Sequence, residues 1–85
     1  MEPARQQVSP ADEIIDVLLA APTPDTIIGL RPSPAAQARL SELLDRNRDG
    51  NLMDADRIEL DAFLQVEHFV RRLKLRAREL LAAQA

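Results

Sequence analysis

The C-terminal third of the chain carries its longest regular pattern of apolar positions. Apolar residues recur there at spacings of three and four, the repeat of a helix with one apolar face. The pattern, called the seam below, consists of Phe63, Val66, Val70, Leu73, Ala77 and Leu80. Because neither Gly nor Pro interrupts residues 55–82, we predict one long amphipathic helix over about that range.

Shorter helices are predicted upstream from a repeated start signal. A hydroxyl residue followed by proline can cap a helix and open its first turn, where the missing N–H of proline costs nothing. The signal occurs at Ser9-Pro10, Thr23-Pro24 and Ser33-Pro34. It predicts helices over about residues 10–21, 24–30 and 34–46. A short strand is the alternative for "IIDVLL" in the first of these.

These elements predict an all-α fold of three or four helices in a single small domain, residues 9–85, after a flexible N-terminus of residues 1–8. The last two helices form a helix-loop-helix. The final helix would be about 42 Å long, roughly twice the length of the helix before it. Either the N-terminal helices fold back over the rest of the seam, or its C-terminal half docks on a second chain. Self-association of the seam into a homodimer is a further alternative.

Composition narrows the class of protein. With 85 residues and no cysteine, the chain is a small domain without disulfides, thiolate catalysis or cysteine-bound zinc. No apolar stretch approaches the roughly 18 residues of a membrane span, and the first residues lack the apolar core of a signal peptide. We therefore expect a cytoplasmic protein that does not enter a membrane.

Charge is distributed unevenly along the chain. Residues 1–70 carry 6 basic and 13 acidic side chains, a balance of −7, whereas residues 71–85 carry 5 basic and 1 acidic, a balance of +4. The basic residues of this tail are Arg71, Arg72, Lys74, Arg76 and Arg78. They could contact phosphate, but they spread around a helix at about 100° per residue. Nucleic-acid binding is therefore the weaker alternative.

The segment "DRNRDGNLMDAD", residues 45–56, resembles the calcium loop of an EF-hand. In such a loop the first, third, fifth and twelfth side chains and the seventh carbonyl bind Ca²⁺, and glycine at the sixth position permits the turn. The corresponding residues are Asp45, Asn47, Asp49, Asp56, Asn51 and Gly50. The aspartate at the twelfth position is similar to dockerin loops. A calcium-binding helix-loop-helix module, with Ca²⁺ as cofactor, is therefore the alternative function.

Other features of the same segment favour a simple turn. Its ninth position is Met53, which offers no side-chain oxygen, and Arg46 and Arg48 lie inside the loop. In this interpretation Gly50 ends one helix in a left-handed conformation, and Asp54 caps the next. The sequence alone leaves both interpretations open.

A longer part of the chain resembles a group of short, mostly uncharacterised bacterial proteins. Their pattern is P-[ST]-P-x-x-I-[IL]-x-L-[RK]-P-S, then L-x-x-L-L-x-x-N-R-x-G-x-L, then E-L-x-x-[FY]-x-x-x-E-H-x-x-R-x-L-K-x-[RK]-A, and residues 22–80 are similar to it. Members of the group are often encoded beside a small nuclease, frequently of HNH type, in an arrangement like that of a toxin and its antitoxin. The resemblance implies a protein partner and suggests a nuclease.

Catalysis is the least supported function. The chain has no phosphate-binding glycine pattern and no nucleophile motif, and its lone His68 is expected to be a partly buried structural residue. We therefore expect a non-catalytic protein-binding module, an antitoxin-like partner or regulator of a neighbouring protein. Its acidic body would face the basic surface of the partner, and the seam would anchor it.

Overall fold

In a computed structural model of the chain, which describes residues 9–84, four α-helices form and no strand is present in that range. The helices are α1 (Pro10–Leu19), α2 (Pro24–Ile28), α3 (Pro34–Arg48) and α4 (Asp54–Gln84). The predicted all-α fold with a long C-terminal helix is confirmed. The expectation of a flexible N-terminus concerns residues 1–8 and lies outside the described residues. None of the four helices is long and apolar enough to cross a membrane.

Each of the first three helices begins at its Ser-Pro or Thr-Pro signal. Ser9, Thr23 and Ser33 take extended backbone conformations at the N-cap, and each is followed by a proline as the first helical residue. Their hydroxyl oxygens accept hydrogen bonds of 3.1–3.3 Å from the backbone N–H three residues later. These bonds satisfy donors that have no partner within the helix, so the short signals are sufficient to place the starts.

The helix ends depart from the predicted ones by two residues or fewer. α1 stops at Leu19 because Ala21 has a left-handed backbone with φ of 56° and Pro22 follows it. The segment "IIDVLL" is therefore helical throughout rather than a strand. α3 continues to Arg48, two residues beyond the predicted end.

α4 is the surface on which the other three helices pack, since α1, α2 and α3 all contact it. At its N-terminal half, Ala36 and Leu43 of α3 form a buried cluster with Leu60 and Phe63 of α4. Leu43 is fully buried at 0% exposure. This cluster is the centre of the apolar core.

The C-terminal half of the seam is covered from within the chain. α1 and α2 fold back over it, so the structure has the first of the two arrangements that the sequence left open. Phe63 and Ala77 are each only 5% exposed, whereas Leu80 is 42% exposed. The prediction that the whole seam binds a partner, or pairs with a second seam, needs correction because most of that face already contacts α1, α2 and α3.

The remaining circumference of α4 is left open. Its buried side chains, Asp56, Leu60, Phe63 and Ala77, fall within about 100° of one another around the helix. The molecule extends 49 × 34 × 17 Å, and its smallest dimension accommodates only two layers of helices about 8–10 Å apart. Within residues 9–84, therefore, α4 has helices packed on one side alone.

We expect Leu43→Ala to lower the free energy of unfolding by about 2–5 kcal/mol, because it removes a fully buried side chain and leaves a cavity. Urea denaturation followed by circular dichroism measures this. Leu44→Ala is the matched control, since Leu44 is 42% exposed and its loss should cost about 1 kcal/mol or less. Equal losses in the two variants would contradict the placement of the core.

Candidate functional site

An open groove lies where α1, the segment joining α2 to α3, the first turns of α3, and α4 meet. It has a volume of about 280 Å³. Ala36 and Phe63 are its buried lining residues. Its half-buried apolar lining consists of Pro10, Ile14, Leu30, Leu40, Val66 and Val70. Its charged lining residues are Glu13, Arg31, Glu67, Arg71 and Lys74.

A hydrogen-bonded pair joins α1 to the start of α3 at this groove. The Glu13 carboxylate accepts hydrogen bonds from the Ser33 hydroxyl at 2.6 Å and from the Ser33 backbone N–H at 3.2 Å. The same hydroxyl oxygen accepts from the N–H of Ala36 at 3.1 Å and so caps α3. One serine thus fixes a helix start and attaches a second helix to it.

A second contact joins α4 to the end of α2. The ammonium group of Lys74 donates to the Leu30 carbonyl at 2.7 Å. Leu30 lies just beyond α2, where backbone carbonyls lack helical partners and favour a cation. Lys74 was predicted as a phosphate contact, but in this structure its ammonium group holds the α2–α3 segment against α4. The groove can therefore bind apolar groups, while two of its charged side chains serve to build it.

A cluster of charged side chains joins α3 to α4 on another part of the molecule. Arg39 donates to both carboxylate oxygens of Glu59, at 2.7 and 2.9 Å, and also contacts Glu42 at 2.9 Å and Asp56 at 3.2 Å. Arg46 donates to Asp56 at 2.9 Å and to Glu42 at 2.7 Å. Two-point contact between an arginine and a carboxylate fixes orientation as well as distance, so this charged cluster sets how α3 lies on α4.

The charged cluster shifts the pKa values of Arg39, Asp56 and Glu59. Hydrogen bonding to Arg39 holds the pKa of Glu59 below its usual value, although partial burial opposes the shift. Burial would raise the pKa of Asp56, but the hydrogen bond and charge of Arg46, the backbone N–H of Met53 and the charge of Arg39 outweigh it, so that pKa is also lowered. Hydrogen bonds to Glu59 and Glu42 raise the pKa of Arg39. All of these groups are charged at neutral pH.

The turn predicted as a calcium loop is closed by a backbone motif. Gly50 has a φ of 77°, and its N–H donates to the Asn47 carbonyl at 3.2 Å. The N–H of Asn51 donates to the Arg46 carbonyl at 2.9 Å. These two bonds form a Schellman motif, in which a left-handed glycine satisfies the last carbonyls of a helix. Leu52 then packs against the core.

The carboxylates of that turn point in different directions. Asp45 pairs with Arg48, and Asp56 pairs with Arg39 and Arg46. Asp45 and Asn47 also remain inside α3. In the described part of the chain, no three or more His, Cys, Asp or Glu side chains are grouped so that they could hold a metal. The geometry supports the interpretation of residues 45–56 as a turn.

One detail of that interpretation is corrected by the structure. Asp54 was predicted to cap α4, but it is the first residue of the helix. Met53 precedes it and offers no side-chain oxygen to cap the helix. The side-chain hydrogen bonds of Asp56, the third residue of the helix, go to Arg39 and Arg46, so a capping box is not formed there.

The basic residues of the C-terminal tail do not form one phosphate-binding face. Arg71 and Arg76 pair with glutamates of α4 itself, at 3.4 and 3.0 Å, and Lys74 is bound to the backbone. Arg72 and Arg78 have no ion pair among the described residues. These two lie about 120° apart around the helix, so they point in different directions.

Comparisons of the chain with protein families, with curated proteins and with solved structures find no match in any of the three. The groove and the charged cluster are therefore interpreted from their own geometry.

The sequence interpretation missed the residues that build both features. Arg39, Glu42 and Arg46 recur at helical spacing on α3, a signal that could have indicated a charged stripe facing α4. The bond between Glu13 and Ser33 joins residues twenty positions apart and had no local signal. His68, expected to be partly buried, is exposed.

We expect the folded state to lose stability as the pH falls below about 4. The lowered pKa values of Asp56 and Glu59 mean that the unfolded chain binds protons first, so stabilisation is present above the usual carboxyl pKa and is lost as pH falls through the lowered values. Thermal unfolding between pH 7 and 3 measures this. Arg39→Gln should flatten the dependence, whereas Arg57→Gln, at an exposed position without an ion pair in residues 9–84, should keep it. An unchanged profile in Arg39→Gln would contradict the assignment.

We expect Ca²⁺ added to chelator-treated protein to give no saturable heat below about millimolar concentration and no gain in helix content. Binding would require the Asp56 carboxylate to break its ion pairs with Arg39 and Arg46. It would also require the last turn of α3 to unwind. Calorimetry with Mg²⁺ as control checks this. Saturable binding that Asp45→Ala abolishes would contradict it.

Proposed function

We propose that the chain is a non-catalytic protein-binding module whose groove between α1 and α4 receives an apolar segment of a partner protein. The observation that carries the proposal is a groove of about 280 Å³ whose aliphatic lining remains half-buried. Apolar anchors of a partner gain most when they enter such a concave surface, because they leave water almost completely.

The polar groups of the groove support binding rather than catalysis. Glu13 is held by Ser33, and Lys74 is held by the Leu30 carbonyl. General acid–base catalysis needs a carboxylate or amine that can exchange a proton with the substrate. Here the hydrogen bonds of both groups connect helices to one another.

Charge favours a partner with a basic contact surface. Several exposed carboxylates have no ion pair among residues 9–84. They are Asp12, Asp16, Asp25, Asp49, Asp54 and Asp61. Complementary charge speeds association and selects among partners. An enzyme that acts on nucleic acid presents such a basic surface. Because the chain resembles proteins that are often encoded beside a small nuclease, the partner we propose is a nuclease encoded nearby, with this chain as its antitoxin-like regulator.

We expect the product of the adjacent gene to co-purify with this chain and to lose nuclease activity in the complex. Val70→Trp should weaken the complex at least tenfold, because it fills the groove without adding charge. Tenfold corresponds to about 1.4 kcal/mol of binding free energy. Co-expression, followed by titration of the purified proteins, measures both effects.

Leu75→Trp is the matched control. Leu75 is 57% exposed on α4 and does not line the groove, so this variant should bind as tightly as the unaltered chain. Circular dichroism of both variants confirms that they are folded. Normal binding by a folded Val70→Trp variant would contradict the groove as the site, and failure of the neighbour to bind would contradict the partner.

A further inference from the structure

A strip of apolar side chains runs along the open side of α4. Its apolar residues are Ile58, Ala62, Phe69 and Leu80, which lie within about 40° of one another around the helix, and Arg76 lies in the same arc between Phe69 and Leu80. Three of them are large and exposed: Ile58 at 72%, Phe69 at 48% and Leu80 at 42%. The strip lies about 120° from the centre of the buried arc, so α1, α2 and α3 leave Ile58, Ala62 and Phe69 uncovered, and Leu80 lies at the edge of the surface that α1 and α2 form with α4. We call these four apolar residues the outer strip.

The spacing of the outer strip is symmetric about Phe69. Ile58 precedes Phe69 by eleven positions, and Leu80 follows it by eleven, which places each about 16 Å from Phe69 along the axis. In an antiparallel pair of α4 helices with a twofold axis at Phe69, each Ile58 therefore meets Leu80 of the other copy. A twofold pairing needs such a self-complementary surface.

The surface beside Leu80 is shaped to receive a side chain. An open apolar recess is lined there by residues of α1, α2 and α4, among them Leu18, Ile27, Leu73 and Leu80. Ile58, the most exposed member of the outer strip, is the side chain that the antiparallel register brings to Leu80, at the edge of this recess, in the second copy. A projecting side chain thus meets the edge of a recess at both ends of the pair.

Charge along α4 selects the same direction of pairing. Residues 54–67 carry five acidic side chains and one basic, whereas residues 71–84 carry five basic and one acidic. Antiparallel helices place the acidic half of each copy against the basic half of the other, and parallel helices place like charges together. On the open side, exposed Asp61 comes to lie beside Arg76 of the second copy in this register.

We propose that the outer strip binds a second copy of this chain, forming an antiparallel twofold dimer centred on Phe69. Three of its four residues lie outside the seam, most of which contacts α1, α2 and α3, and Leu80, at the edge of that face, belongs to both. It also leaves the groove open, because the groove-lining residues of α4 lie on the buried side of the helix. The dimer therefore presents two grooves, and it does not depend on the proposed function.

Sedimentation velocity of the purified chain tests the dimer without any other protein. We expect dimer to predominate at high protein concentration and to dissociate into monomer on dilution. Phe69→Glu should give monomer, because it places two carboxylates face to face on the axis. Leu75→Glu, about 120° away around the helix, should remain dimeric. A monomeric unaltered chain, or dissociation by both substitutions alike, would overturn the proposal.

Cysteine cross-linking tests the register, since the chain contains no native cysteine. Under mild oxidation we expect Phe69→Cys to form a covalent dimer with itself and Ile58→Cys to form none. A mixture of Ile58→Cys and Leu80→Cys chains should cross-link to each other. Self-cross-linking of Ile58→Cys would indicate a parallel pair and overturn the proposal.

Charge exchange provides an independent check of the direction. Arg76→Asp should raise the dimer Kd, because it sets two carboxylates side by side, and adding Asp61→Arg in the same chain should restore it. Both residues are exposed, so neither change disturbs the core. A double variant as weak as Arg76→Asp would overturn the antiparallel register.

Discussion

α4 is a helix of 31 residues with an apolar face, and in water such a face is stable only when other elements shield it from the solvent. The helices that cover it need α4 equally. α1 has 10 residues and α2 has 5, whereas isolated helices shorter than about 12–15 residues are marginal even for favourable sequences. α3 and α4 together contain the buried cluster of Leu43 and Phe63, and α1 and α2 pack on the same helix α4. The fold is therefore a single cooperative unit organised around α4.

Polar contacts determine how the helices are oriented relative to one another. Apolar burial is not directional, so it explains why the helices meet but not how they are oriented. Arg39 orients α3 through its two-point contact with Glu59, Lys74 fixes the end of α2, and Glu13 attaches α1 to Ser33. The last two contacts border the groove, so the contacts that orient the helices also determine the shape of the surface proposed to bind a partner.

Local signals in the sequence were sufficient for the helix starts and the fold class, because a cap such as Ser33 is decided within three residues. The signal for the turn at Gly50 was equally local. Of its two interpretations, the simple turn with a left-handed glycine agrees with the structure. The direction of the Asp56 carboxylate, by contrast, could not be predicted from local signals. Its direction depends on Arg46 and Arg39, which lie 10 and 17 residues earlier, and spacing along the chain contains no such information. The seam likewise indicated an apolar face without indicating what covers it.

The order of elements along the chain has a consequence for biosynthesis. Ribosomes make α1, α2 and α3 before α4, so the first three helices have no surface to pack on while α4 is still being translated. At about 5–20 residues per second, the 31 residues of α4 take about 2–6 seconds. During that interval Ile14, Ile27 and Leu43 lack the helix against which they pack in the folded chain. Folding then begins only when α4 leaves the exit tunnel, after most of the chain has been synthesised.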